Sequence, residues 1–73
     1  MSEVSVVDIS ERAQSALESS PISALRDLRV VHLGHALLIS GSVSSYYYKQ
    51  LAQESVRAVA EGLDVVNSID VSS

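Results

Sequence analysis

The stretch Leu28-Arg-Val-Val-His-Leu-Gly-His-Ala-Leu-Leu-Ile-Ser-Gly-Ser-Val43 decides the fold of this 73-residue chain. It is the longest apolar stretch of the sequence, and Gly34-His35 lies in its middle. A glycine there is typical of a two-residue type II′ turn, because the first central residue of that turn has a positive φ. The stretch therefore predicts a β-hairpin that reverses at Gly34-His35.

A turn at these two residues fixes the register of the hairpin, because it places Leu33 opposite Ala36 and Leu28 opposite Gly41. Side chains alternate between the two faces of a strand. The face that suits a core carries Leu28, Val30, His32, Leu37, Ile39 and Val43. The other face is half apolar and carries Arg29, Val31, Leu33, Ala36, Leu38, Ser40 and Ser42.

The segment before the hairpin predicts one amphipathic helix. Residues 1–7 are expected to form a flexible N-terminus, and Asp8 with Glu11 has the pattern of a capping box. Apolar residues then recur at helical spacing, at Ile9, Ala13, Ala16 and Leu17. Pro21 disfavours the helical state of the residue before it, so we expect the helix to end at Ser19-Ser20.

The segment after the hairpin predicts a second helix and a closing strand. The helix is expected from Tyr46 to Glu61, with Gly62 as the residue in the left-handed conformation that stops it. Gly41 is expected where a helix packs closely on the strand. The closing strand alternates, with Val65, Ile69 and Val71 on one face and with Val66, Ser68 and Asp70 on the other.

This order of elements predicts an α+β protein, an α-β-β-α-β two-layer sandwich with both helices on one face of a three-stranded mixed sheet. The second strand is the most apolar, so we place it in the centre, antiparallel to the first strand and parallel to the last. A sheet with the first strand in the centre, all antiparallel, is the alternative. Residues 8–71 form the single domain, and residues 72–73 form a tail.

Three short patterns of this chain resemble the BON domain, a bacterial module of osmotic-shock periplasmic proteins, secretins and some channels. Leu37-Leu-Ile-Ser-Gly-Ser-Val43 resembles its hairpin signature. Lys49 and Ala52 resemble the helix that follows in the family. Gly62-Leu-Asp-Val-Val-Asn-Ser-Ile-Asp-Val71 resembles its closing strand. The resemblance covers residues 8–71, although Gly34-His35 replaces the Asn-Gly-like turn that is usual in the family.

The resemblance implies an α+β sandwich and a non-enzymatic binding role, proposed for the family as attachment to phospholipid membranes or to proteins. It would allow a periplasmic location if a signal had been trimmed. The sequence as given begins with an acidic segment that has no basic region and no long apolar run, so it predicts a cytoplasmic protein.

Charge and composition argue against several function classes. The net charge of −4 disfavours nucleic acid as a partner, because phosphate contacts need a basic face. The chain has no cysteine, and its two histidines, His32 and His35, lack further ligands at suitable spacing, so we expect no metal and no cofactor. The serines have no base and acid in motif spacing, and we expect no catalytic residues.

The half-apolar face of the sheet is the main candidate for a binding site. We expect Val31, Leu33, Leu38 and Val66 to form a contiguous apolar patch, with Arg29 at its border. Exposed patches of this kind usually contact another molecule. Self-association into a homodimer is the first hypothesis, another protein partner is the second, and membrane docking, which the net charge of −4 disfavours, is the third. In a further alternative, residues 4–7 fold back over the patch.

The start of the second helix is the alternative candidate. Tyr46, Tyr47 and Tyr48 cannot all face the core, and tyrosine is favoured at membrane and protein interfaces. Tyr46 and Tyr47 with Lys49 could therefore bind a phospholipid surface. A structural role, in which the rings pack over the end of the sheet, is the simpler interpretation.

Overall fold

The backbone of residues 5–72 and the side chains of residues 9–72 are described by a computed structural model. Two helices and five short strands follow one another along the chain, with one 3-10 turn at Ser23–Leu25. Their bounds are α1 Ser5–Glu18, β1 Arg29–Leu33, β2 Ala36–Ser40, β3 Ser42–Val43, α2 Tyr46–Arg57, β4 Asp64–Asn67 and β5 Asp70–Val71.

The hairpin has the predicted turn and register. Gly34 has a φ of 58°, whereas His35 is not among the residues with positive φ, as a type II′ turn requires. Leu33 pairs with Ala36, and the pairing continues without a slip along the whole of β1 to Arg29 opposite Ser40. Every predicted assignment of a hairpin side chain to a face therefore holds.

The sheet has the predicted strand order, with β2 between β1 and β4. β1 runs antiparallel to β2 and β4 runs parallel to it. The all-antiparallel alternative is therefore wrong. The apolar character of β2 explains its central position, because Leu37 and Ile39 have no exposed surface.

The predicted closing strand consists of two segments, β4 and β5, in one continuous register. β5 pairs in parallel with β3, and backbone hydrogen bonds of 2.9 Å join Asp70 N to Gly41 O and Ser72 N to Val43 O. Ser72, predicted as part of a tail, thus belongs to the ladder, and Ser73 lies outside the described residues. Val71 pairs with the buried Val43 and so lies on the predicted face, but it is 42% exposed because the sheet ends there.

Both helices pack on the same face of the sheet. α1 contributes Ala13 and Leu17 to the core, and α2 contributes Ala52 and Val56. The other buried core residues are Leu25, Leu28, Leu37, Ile39, Val43, Ala60 and Ile69. The opposite face of the sheet has no layer over it among the described residues.

The start of α1 differs from the prediction. The helix takes in Ser5 to Val7, so Asp8 is an internal residue and the predicted capping box is wrong. No proline or glycine precedes Asp8 to stop a helix there. Because α1 packs on the core side of the sheet, residues 5–7 do not fold back over the opposite face; Val4 lies outside the described residues.

α2 ends four residues earlier than predicted, at Arg57, with Ala58 as its C-cap. Glu61 and Gly62 have φ values of 51° and 91°, and Leu63 N donates to Ala60 O at 3.1 Å. Gly62 is therefore part of a tight turn that leads into β4, and it is not the stop residue of the helix. The prediction failed because the apolar residues of this turn continue the helical spacing.

Position 41 requires glycine because another residue lies close to its backbone, but this close residue is not the predicted one. The φ of Gly41 is 127°, and a Cβ atom there would lie 2.7 Å from Leu28 Cδ2. The close neighbour is thus the residue opposite Gly41 in the hairpin register, and not a helix. No atom lies within 4 Å of a Cβ at Gly34, where only the backbone conformation favours glycine.

Candidate functional site

The open face of the sheet, the face opposite the helices, has an apolar row across its middle. Val31 pairs with Leu38 and Leu38 pairs with Val66, so the three side chains lie side by side across three strands. Val31 and Val66 are each 45% exposed, and Leu38 is half-buried because it has a neighbour on either side. The structure therefore brings together the three central residues of the predicted patch.

The two rows of side chains that flank this apolar row differ in polarity. On the side of the hairpin turn, Leu33 pairs with Ala36 and Ala36 pairs with Asp64. Leu33 is 55% exposed and extends the apolar patch along β1. On the other side, Arg29 pairs with Ser40, which makes that border polar.

Charged residues lie at two opposite corners of the part of the open face that β1, β2 and β4 form, and Asp70 of β5 lies beyond this part. Arg29 is the first residue of β1 and Asp64 is the first residue of β4, and both are exposed. Because β1 and β4 run in opposite directions, their first residues lie at opposite ends of the sheet. Arg29 is among the residues predicted for this face, whereas Asp64 is not. The parallel register that pairs Leu38 with Val66 places Asp64 on this face when it is extended by two residues.

The outer edge of β1 is partly covered by a side chain of α1. Gln14 Nε2 donates to Leu28 O at 2.8 Å, and Gln14 Oε1 accepts from Val30 N at 2.9 Å. One amide group thus occupies the backbone donor and acceptor that another strand would otherwise use. This contact favours the face of the sheet over the edge of β1 as the binding surface.

The start of α2 forms a second exposed surface, the tyrosine end. Ser45 caps the helix, its hydroxyl accepting from Tyr48 N at 3.3 Å. Tyr46 and Tyr47 are 65% and 66% exposed, while Tyr48 packs against the core. Lys49 Nζ lies 6.0 Å from the centre of the Tyr46 ring, at the outer limit of a cation–π contact.

The two histidines lie where the sequence placed them. His32 is half-buried, and its Nε2 lies 3.0 Å from Gly34 O. His35 is exposed in the turn. Among the side chains of residues 9–72, no group of three or more histidine or acidic residues is arranged to hold a metal ion.

A shallow groove of about 370 Å³ runs between α2 and β4. Its lining comprises Gln53, Arg57, Leu63, Asp64 and Val65. Arg57 and Asp64 are the titratable groups of this lining, and they do not form a nucleophile with its base. The groove therefore offers charge and hydrogen bonds to a ligand but no arrangement for covalent catalysis.

Comparison with known proteins assigns no family to the chain. No protein-family model matches its sequence, and no curated protein matches it. The resemblance to the BON domain therefore stays a prediction. Of the helices that the structure describes, neither has the length and apolar character needed to cross a bilayer.

Proposed function

We propose that this chain is a non-enzymatic binding module of the BON type that assembles with a protein surface through the open face of its sheet. The observation that carries the proposal is the exposed apolar row formed by Val31, Leu38 and Val66. Burying a large apolar side chain contributes roughly 1.5–3 kcal/mol when it passes from full exposure to full burial. Three half-exposed side chains and Leu33 together therefore provide a substantial driving force for association.

Sedimentation velocity over a wide range of protein concentration tests assembly through this face. We expect the wild type to associate with rising concentration and Leu38→Glu to stay monomeric, because a carboxylate in the middle of the row would be desolvated in the complex. Val31→Glu, on the edge strand, should have the same effect with less risk to the fold. Gln50→Glu, at an exposed position of α2, is the matched control and should associate like the wild type.

Photo-cross-linking in an extract of the source cells tests binding to a different protein. A photoreactive residue at Ser40, on the open face, should give protein adducts that Leu38→Glu abolishes. The same residue at Gln50 should not give those adducts. A wild type that stays monomeric and forms no adducts specific to Ser40 would contradict the proposed function.

Phospholipid binding through the tyrosine end is the second candidate. The exposure of Tyr46 and Tyr47, with Lys49 beside the first ring, favours it, because tyrosine rings settle at the boundary between lipid headgroups and acyl chains. The net charge of −4 opposes a purely electrostatic attachment to anionic lipid. The tyrosine rings would therefore supply most of the binding energy.

Co-sedimentation with vesicles of phosphatidylcholine and phosphatidylglycerol tests this candidate. We expect the wild type to pellet with the vesicles, and the double variant Tyr46→Ser, Tyr47→Ser to remain in the supernatant. Lys49→Gln should reduce pelleting only for vesicles that contain phosphatidylglycerol. Gln50→Ser serves as the control, and equal pelleting of the wild type with and without lipid rules the candidate out.

A further inference from the structure

The two charged corners of the open face restrict how a second molecule can dock on it. Arg29 lies at one end of an edge strand and Asp64 at the opposite end of the other edge strand, with the apolar row between them. A partner that covers the row and has an acidic group over Arg29 and a basic group over Asp64 would therefore complement both corners. The open face of this same chain has both groups, at the right diagonal separation.

A two-fold axis in the plane of the interface can have four simple directions relative to the strands and to the Arg29–Asp64 diagonal. An axis along that diagonal would place each Arg29 over Arg29 of the other copy. An axis parallel to the strands, or perpendicular to them within the face, would place a charged corner of one copy over Leu33 of the other. An axis perpendicular to the Arg29–Asp64 diagonal instead places each Arg29 over Asp64 of the other copy. That axis passes through Leu38, so the two copies of Leu38 meet at the centre of the interface.

We propose that the occupant of the open face is a second copy of this chain, related by this diagonal axis, with Arg29 of each copy paired to Asp64 of the other. This inference rests on the proposed function and names the partner of that site. The contact is isologous, as expected for a homodimer, and its strands cross at a steep angle, as in orthogonal sheet packing.

The size of the face determines the strength of this dimer. Three strands about 4.8 Å apart, each about five residues long at about 3.3 Å per residue, give a face of roughly 14 × 17 Å. Counted on both copies, this gives roughly 480 Å², which is well below the roughly 1,200 Å² at which standard specific interfaces begin. The dimer is therefore weak and forms with rising concentration, and its two ion pairs set its orientation more than its affinity.

Complementary charge reversal tests the arrangement in sedimentation experiments. Arg29→Asp alone and Asp64→Arg alone should each raise the dissociation constant of the dimer about tenfold, because two attractive pairs become repulsive. An equimolar mixture of the two variants should associate like the wild type, because both pairs are restored in the mixed dimer. A purely structural effect of either substitution would not be rescued by mixing.

Arg12→Asp and Glu54→Arg are the matched controls, since they make the same charge changes at exposed positions of α1 and α2, outside the groove that Asp64 lines. Neither should weaken the dimer appreciably, and mixing them should give no gain. Circular dichroism of all four variants verifies that each remains folded.

The outcomes separate this inference from the proposed function. A wild type that stays monomeric, yet gives adducts with other proteins through Ser40, overturns the second copy as partner and leaves the binding module standing. A dimer that Leu38→Glu abolishes, but that mixing of the charge-reversed variants does not restore, overturns the diagonal arrangement. A monomer without adducts through Ser40 overturns both.

Discussion

Two separate constraints favour glycine at position 41: the backbone conformation, and the lack of space for a side chain. The φ of 127° at Gly41 belongs to a region that residues with side chains rarely adopt, and Leu28 occupies the volume where a Cβ atom would lie. Gly34 has only the first constraint, because the space around it is open. The two glycines of the hairpin therefore differ in how well they should tolerate a methyl group.

We expect Gly41→Ala to destabilise the protein more than Gly34→Ala. The change at Gly34 should lower the free energy of unfolding by about 1–3 kcal/mol through backbone strain. Gly41→Ala adds overpacking against Leu28, which typically costs about another 1–3 kcal/mol. Urea denaturation followed by circular dichroism measures both, and equal losses would contradict the close contact.

Gln14 is a residue whose role depends on tertiary structure. Its position in α1 predicts only a partly exposed polar side chain, whereas its amide bonds both Leu28 O and Val30 N. No pattern within the helix indicates this contact, because it joins residues 14 and 16 positions apart in the sequence.

We expect Gln14→Ala to lower the free energy of unfolding by about 1–3 kcal/mol, because a partly buried donor and acceptor lose their partners. Gln14→Glu should be at least as harmful at neutral pH, since a carboxylate cannot donate to Leu28 O. Below roughly pH 4 the introduced carboxyl becomes protonated and can donate again, so the deficit should shrink. Chemical denaturation across pH checks this, with Gln50→Glu as the control.

At the scale of elements, Asn67 connects the sheet to α2. Its Nδ2 donates to Lys49 O at 3.0 Å and to Gln53 Oε1 at 3.1 Å, while its Oδ1 accepts from Ile69 N at 3.1 Å. Asn67 is the last residue of β4, directly before the two residues that separate β4 from β5. It therefore holds the backbone between the two strands and fixes the helix above them.

We expect Asn67→Ala to lower the free energy of unfolding by about 1–3 kcal/mol through the loss of these hydrogen bonds. Asn67→Asp should not rescue stability, because a carboxylate still accepts from Ile69 N but faces Lys49 O without a proton to donate. Ser68→Ala, at the exposed neighbouring position, should be nearly neutral. An Asp variant as stable as the wild type would contradict the role of the amide.

Local sequence patterns correctly predicted those elements for which the local preference of the residues agrees with the tertiary structure. The glycine of the hairpin turn gave the register, and the apolar character of β2 gave the strand order. The start of α1 and the end of α2 were missed, because α1 has no stop residue before Asp8 and because Ala60 and Leu63 keep helical spacing within a turn. At the candidate site, Val31, Leu38 and Val66 followed from alternation, whereas Asp64 required the parallel register between distant strands.

At the scale of the molecule, the two candidate surfaces are separate. The open face lies opposite the helix layer, whereas the tyrosine end follows β3, away from the hairpin turn. Variants of one surface should therefore leave the other unaffected. Assembly and lipid attachment can be measured independently in the same protein.

Association through the open face should couple folding to protein concentration. We expect the thermal unfolding midpoint of the wild type to rise with concentration, because ligands that bind only the folded state stabilise it by mass action. The midpoint of Leu38→Glu should not depend on concentration. Calorimetry at several concentrations measures this, and a constant midpoint for the wild type would contradict dimerisation.

The continuous parallel ladder beside β2 and β3 also has a consequence for the time course of folding. The hairpin can close as soon as its two-residue turn forms, but β4 can pair with β2 only after α2 has crossed the sheet. Until then, one edge of the most apolar strand is unpaired and can add a strand from another molecule. We therefore expect the pairing of the last strand to limit the rate of folding and to set the period during which the chain can aggregate.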